Sequence, residues 1–264
     1  MTIRRRDSSP RPFEKPPLKV FATTLWTYPS QHYDSSNTPR GTTAMQGDAR
    51  YEGATPSWVI WQVLQRYTRP GDTVLDPMVG SGTTIDVCAD LGRQPLAFDL
   101  APSRPDIKQA DARSIPLPNT SADFVFIDPP YSTHIDYSTD PRCIGKLDSG
   151  GIDQGKAYFK AMDQVIAEID RVLKPGRYMS LYVSDSWRKR RKGDPGSGTG
   201  EFMPIGFELF ARLQSRFKPV DVISVIRGNQ KLERGPWHDA AVEGNYFLRG
   251  FNYLFIMHKT KSRG

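Results

Sequence analysis

The stretch from Thr73 to Phe98 constrains the fold most. Thr73-Val74-Leu75-Asp76 reads as a short apolar strand that passes through Pro77-Met78-Val79-Gly80-Ser81-Gly82-Thr83-Thr84. It then enters Ile85-Asp86-Val87-Cys88-Ala89-Asp90-Leu91, which has helical spacing and stops at Gly92. Gln94-Pro95-Leu96-Ala97-Phe98 reads as the next strand. Strand, tight turn, helix and strand form a βαβ unit, the building block of α/β sheets. Gly80 and Gly82 permit a positive φ and a close backbone approach to a ligand, and the free N–H groups that open the helix attract a negative group. No Gly-Lys-Ser/Thr follows, so the turn is not a phosphate loop.

Asp99 stands at the end of the second strand, about 20 residues past the glycine turn, where nucleoside-binding βαβ units place an acid for the ribose hydroxyls. Asp106 to Arg113 offers a third short strand, with Asp111 placed to accept from an adenine amino group. Each acid alone reads equally well as a solvated turn residue; their order along the chain is what carries weight.

A second motif lies downstream. Ala122-Asp123-Phe124-Val125-Phe126-Ile127 reads as a buried strand, and Asp128-Pro129-Pro130-Tyr131 follows it. An acid, two rigid residues without N–H groups and an aromatic ring therefore sit at a strand's carboxyl end, the edge where open α/β sheets bind ligands. A carboxylate, an outward carbonyl and a ring suit a planar base whose exocyclic amine donates two hydrogens and whose face stacks. Alone, the same four residues also fit a proline-rich turn.

Taken together, Asp76 to Thr84 and Asp128 to Tyr131 resemble the cofactor loop and catalytic tetrapeptide of the S-adenosylmethionine-dependent DNA amino-methyltransferases of the adenine-N6/cytosine-N4 class. The resemblance covers roughly residues 55–185, with Met78 in place of the usual Phe. It implies a Rossmann-like methyltransferase fold: a seven-stranded, mostly parallel sheet with helices on both faces and an antiparallel last strand. It implies S-adenosylmethionine as cofactor, held by Asp76, Pro77, Met78, Gly80, Ser81, Gly82, Thr83, Asp99, Leu100, Asp111 and Ala112, with no metal. A lid made from Tyr28 to Tyr33 together with Thr55 is expected over the methionine end. Asp128 and the Pro129 carbonyl would accept the hydrogens of the target amine, beside Pro130, while Tyr131 stacks on the base. Adenine N6 is favoured because cytosine-N4 members more often begin the tetrapeptide with Ser, and cytosine N4 stays open. So does an RNA base amine, and so does a non-catalytic nucleotide-binding protein on the same fold. The resemblance also implies restriction-modification as a setting.

Charge points to the partner. The 264 residues carry a net +7, and from Arg177 onward 16 Lys/Arg stand against 8 Asp/Glu. The densest basic run, Arg188-Lys189-Arg190-Arg191-Lys192, leads into a Gly/Ser-rich stretch and reads as a flexible loop that holds DNA phosphates. Cys88 and Cys143 match no metal or redox spacing, no apolar run is long enough to span a bilayer, and Met1 to Arg6 leads into polar sequence. A reduced cytoplasmic setting, no membrane, and a monomer or homodimer are expected.

The organisation reads as an irregular arm at about 1–20 and one domain over 21–264, with inserted loops at about 186–203 and 227–250. Thr55 is expected to cap a helix that has Pro56 in its first turn and an apolar face of Val59, Ile60, Val63, Leu64 and Tyr67. A helix over 158–172, a strand over 178–183, a helix near 206–216 and strands near 220–226 and 252–257 complete the pattern. His134 and Tyr137 are expected near the base pocket.

Overall fold

A computed structural model describes residues 15–35, 45–131, 135–189, 192–193, 200–226 and 235–261. At the centre of the molecule lies β5 (Ala122–Ile127), buried along its whole length. Its alternation sends side chains to two different cores. Val125 and Ile127 join one cluster with helices α3 (Lys156–Val172) and α4 (Ile205–Gln214). Phe124 and Phe126 join the other with α1 (Ser57–Tyr67) and α2 (Thr83–Leu91). A strand buried at every position needs a layer on each face.

The remaining strands are β1 (Leu25–Trp26), β2 (Thr73–Asp76), β3 (Gln94–Asp99), β4 (Lys108–Gln109), β6 (Leu173–Val183), β9 (Lys218–Ile226) and β10 (Phe251–His258). They form one sheet in the order β1-β9-β10-β6-β5-β2-β3-β4. Pairing is parallel except for β10, which runs antiparallel to both β6 and β9. The expected fold is present with eight strands instead of seven. The additional one, β1, pairs in parallel with β9 through Leu25↔Ser224 and Trp26↔Val225. Two residues carry no readable period; the strand is held by Trp26, whose ring packs near Phe21 and Trp58.

Two further features depart from expectation. The basic stretch near 186–203 includes two strands: β7 (Ser186–Lys189) and β8 (Gly200–Met203) form an antiparallel pair. Within 227–250 there is a helix, α5 (Pro236–Glu243), started by a proline in its first turn. No described helix is long and apolar enough to cross a membrane.

Three acids, Asp76, Asp99 and Asp128, close β2, β3 and β5 at the same carboxyl edge of the sheet. That edge carries the site.

Candidate active site

The glycine loop is shaped by its own backbone and by Asp76. This side chain is buried; Oδ1 accepts from the Met78 N–H at 3.1 Å and Oδ2 from the Thr84 hydroxyl at 2.5 Å. Burial, against the pull of these two donors, pushes its carboxyl up to about 7. Gly80 and Gly82 have φ of 53° and 82°, which L side chains rarely adopt. Asp99 ties β3 to this loop: Oδ2 accepts from the Gly80 N–H at 2.9 Å and Oδ1 from Ala101. Burial raises its carboxyl from the ordinary value despite those amides.

What covers the loop is a segment that sequence reasoning missed. Gly47 N–H donates to Asp86, Asp48 N–H donates to the Ser81 carbonyl, and the Tyr51 ring lies so close to Gly80 that a Cβ there would meet it at 2.9 Å. The one local signal is an aromatic residue, Tyr51, between Gly47 and Gly53. Of the expected lid, Thr55 lines a cavity beside this loop, whereas Tyr28 to Gln31 line a cleft on the other side of Asp128.

Two cavities lie beside the loop, about 70 and 150 Å³ in volume, and Tyr51, Met78, Asp128 and Tyr137 line both. The smaller is also lined by Pro77, Asp99, Leu100, Asp111, Ala112 and Pro130; the larger by Thr55, Asp76, Gly80, Ser81 and Thr83. The first joins three carboxylates, Asp99, Asp111 and Asp128, with apolar walls, which suits a nucleoside. The second joins two carboxylates, Asp76 and Asp128, with hydroxyls and the start of α2, which suits an amino-acid end. The donor set fits the expected cofactor. Asp111 is held by Arg113 at 2.6 Å, and this pairing keeps its carboxyl below the ordinary range. Tyr137, expected near the base, stands on this side instead. Of the expected residues, Gly82 and Pro129 line none of the described cavities; Gly82 lies under the Arg104 side chain, and Pro129 is buried.

On the other side of Asp128 opens a cleft of about 500 Å³. Tyr28, Pro29, Ser30 and Gln31 line it, together with Trp58, Tyr131, Tyr182 and Asn252. Asp128 is thus common to all three spaces, while Tyr131 lines the cleft and the larger cavity. Thr55 is not a helix cap: α1 starts from Pro56 without a side-chain cap, and the Thr55 hydroxyl donates to Asp128 Oδ2 at 2.5 Å. The Ser149 hydroxyl donates to the Tyr131 carbonyl at 3.1 Å, which anchors the end of the tetrapeptide.

The family described as DNA methylase, of the N6/N4 type, matches residues 3–109 and 122–263. The chain belongs to the N6/N4 DNA methylase family. No curated protein matches it. Among solved structures, TrmN from Thermus thermophilus aligns with a TM-score of 0.50 at 17% identity, over 79% of this chain and 50% of that one. It supports the methyltransferase fold. A second Thermus thermophilus protein, described as a DNA modification methylase and crystallised with S-adenosyl-L-methionine, aligns at 20% identity with a TM-score of 0.39, over 59% of this chain and 55% of that one. The chain spans about half the length of these two relatives.

The basic run requires a correction for this DNA methylase family member. Arg188 is 7% exposed, and its guanidinium lies 3.1 Å from Glu201 and 3.7 Å from Asp148. A strand turns alternate side chains to opposite faces, and this one faces two carboxylates, so Arg188 is committed to the protein. Lys189 belongs to β7 by its backbone, and Lys192 is exposed. Arg190 and Arg191 lie outside the described residues, as does His134.

Proposed function

We propose that this chain transfers a methyl group from S-adenosylmethionine to the exocyclic amine of a base in DNA, with adenine N6 the favoured target. The observation that carries this reading is the position of Asp128, on the wall shared by the cofactor-side cavities and the wide cleft. Support comes from membership of the N6/N4 DNA methylase family and from the fit of the two cavities to the cofactor. Asp128 in place of the Ser more common in cytosine-N4 members favours adenine.

When bound, the cofactor supplies an electrophilic methyl group. Everything else falls to the chain. Asp99 and Asp111 hold the nucleoside part, and Asp76 with the loop at Gly80–Thr83 holds the amino-acid end. In the cleft, Tyr131 stacks on the base while the Asp128 carboxylate accepts from the amine; the family resemblance gives the Pro129 carbonyl as the second acceptor, though Pro129 is buried and lines none of the described cavities. An aromatic amine is a poor nucleophile because its lone pair is delocalised into the ring; accepting its hydrogens turns that pair out of conjugation and toward the methyl group. Attack develops positive charge on the nitrogen, and the adjacent carboxylate stabilises it. Thr55 fixes the plane of that carboxylate through Oδ2. A base within a duplex reaches Tyr131 only after it is flipped out, at a cost of a few kcal/mol. Lys192 and its basic neighbours in sequence help offset this through phosphate contacts.

The test is incubation with labelled S-adenosylmethionine and either DNA or RNA, followed by digestion to nucleosides. N6-methyladenine in DNA is expected. N4-methylcytosine without N6-methyladenine would overturn the adenine assignment, label in RNA alone would overturn DNA as substrate, and no transfer to either would overturn the activity.

A further inference from the structure

Asn252 occupies a position that the hydrophobic pattern reserves for an apolar side chain. On β10, residues 252, 254 and 256 share one face, and Leu254 and Ile256 are buried there in the cluster that contains Trp58 and Tyr182. Asn252 continues this row to the edge of the sheet, where it lines the 500 Å³ cleft with Asp128 and Tyr131. It is 2% exposed, and its Oδ1 is buried without a hydrogen-bond partner among the described residues. A buried carboxamide oxygen that is left unsatisfied costs stability, whereas leucine at the same place would lengthen the apolar row at no such cost. The polar side chain is therefore unexplained by folding, and its residue lines the space where the base would lie.

Its mounting suits recognition. β10 is an inner strand, with Asn252 in register with Val225 of β9 and the next residue, Tyr253, in register with both Ser224 of β9 and Val183 of β6. A side chain on a strand paired on both sides is held more firmly than one on a loop. A carboxamide offers a donor and an acceptor in one plane, and rotation about χ2 exchanges them. In adenine and in cytosine alike, the ring nitrogen next to the exocyclic amine is an acceptor.

We propose that Asn252 is a target-binding residue that receives the ring edge of the target base, its amide N–H donating to the ring nitrogen beside the amine that Asp128 engages. This rests on the reading of the cleft as the target site. Tyr131 contacts the face of the base, Asp128 its amine and Asn252 its neighbouring edge, so three different sides of one planar group are fixed.

The experiment compares wild-type protein with Asn252→Leu and Asn252→Ser in methyl transfer to plasmid DNA from labelled S-adenosylmethionine, with cofactor affinity measured separately by calorimetry. Asn252→Leu should lower kcat/KM for DNA at least tenfold, with cofactor affinity held within twofold, and Asn252→Ser should fall between it and wild type. If Asn252→Leu keeps kcat/KM for DNA within twofold of wild type, the proposal fails. Should the leucine variant not fold, the serine variant decides: a fall in kcat/KM with cofactor affinity intact supports the proposal, and parallel loss of both reduces Asn252 to a structural role. Wild-type protein that transfers no methyl group at all would instead bring down the reading of the cleft itself, and the inference with it.

Discussion

The two sides of Asp128 are built differently. On the cofactor side, small cavities are walled by a continuous turn and by acids at the ends of neighbouring strands, and the carboxylates are tied to backbone amides. On the side proposed for the target, a cleft several times larger is walled by aromatic rings and two carboxamides contributed by segments far apart in the chain, near residues 28–31, 58, 182 and 252. The first is made by local backbone geometry and the second by tertiary assembly. Chemistry that must be the same in every family member suits the first construction, and recognition that must vary suits the second.

The strongest test of this division is Asp128→Ala. A group on the shared wall that acts on the target amine should lower kcat by about 10³-fold, the range for a residue that stabilises charge in the transition state, while cofactor affinity stays unchanged. Calorimetry alongside a transfer assay checks both; lost cofactor binding would break the division.

A second test lies wholly on the cofactor side. The Asp76 carboxyl stands at about 7 in the folded chain, above the ordinary value of 3.8, so the native state holds a proton that the unfolded state has released between those values. Its contribution is fully present below the unfolded pKa and is lost as pH rises through about 7. Asp76→Asn should flatten the dependence of stability on pH from 4 to 7, by an amount on the order of 4 kcal/mol at most. It should also remove a rise in cofactor affinity toward neutral pH, since a cationic ligand favours the ionised acid. Denaturant melts and calorimetry across that range are the measurements.

Thr55→Val sharpens the comparison at its boundary. The lost bond is a hydroxyl to a carboxylate, and such bonds contribute about 1.5–3 kcal/mol, so kcat should fall roughly 10- to 100-fold, with Thr55→Ser near wild type. A valine variant with wild-type kcat would show that the carboxylate needs no help from α1's approach.

The smallest effect belongs to the basic run. Lys192→Ala should weaken DNA binding about threefold or less, for all sequences alike, and reduce the salt slope by about one. Arg188→Ala should instead lower stability, because Glu201 and Asp148 lose the charge between them. Binding isotherms at several salt concentrations, with thermal melts, separate the two.

Legibility in the sequence follows the same division. The strand, glycine turn and helix at 73–91 and the tetrapeptide at 128–131 are contiguous, so their periodicity and turn residues could be read directly. Asp99 and Asp111 could be reached because strand ends recur at βαβ spacing. Asn252 and Tyr182 could not, because their approach to Asp128 depends on β10 entering between β6 and β9. Arg188 misled for a related reason: five consecutive cations resemble a solvated loop, but the strand period turns this one toward Glu201, its register partner on β8. Thr55 has the type and position of an N-cap, and only the packing of α1 against the sheet directs its hydroxyl to Asp128 instead.

The place of β10 has a consequence for how the molecule comes into being. A ribosome delivers Thr73 to Tyr131, with every acid of the cofactor side, well before it delivers Phe251 to His258. The late strand must then slip between two strands already made, β6 and β9, and pair with both. A nascent chain therefore carries the acids of the glycine-loop side and most of the cleft lining before it carries Asn252. The strand that closes the cleft is the last part of the sheet to be delivered.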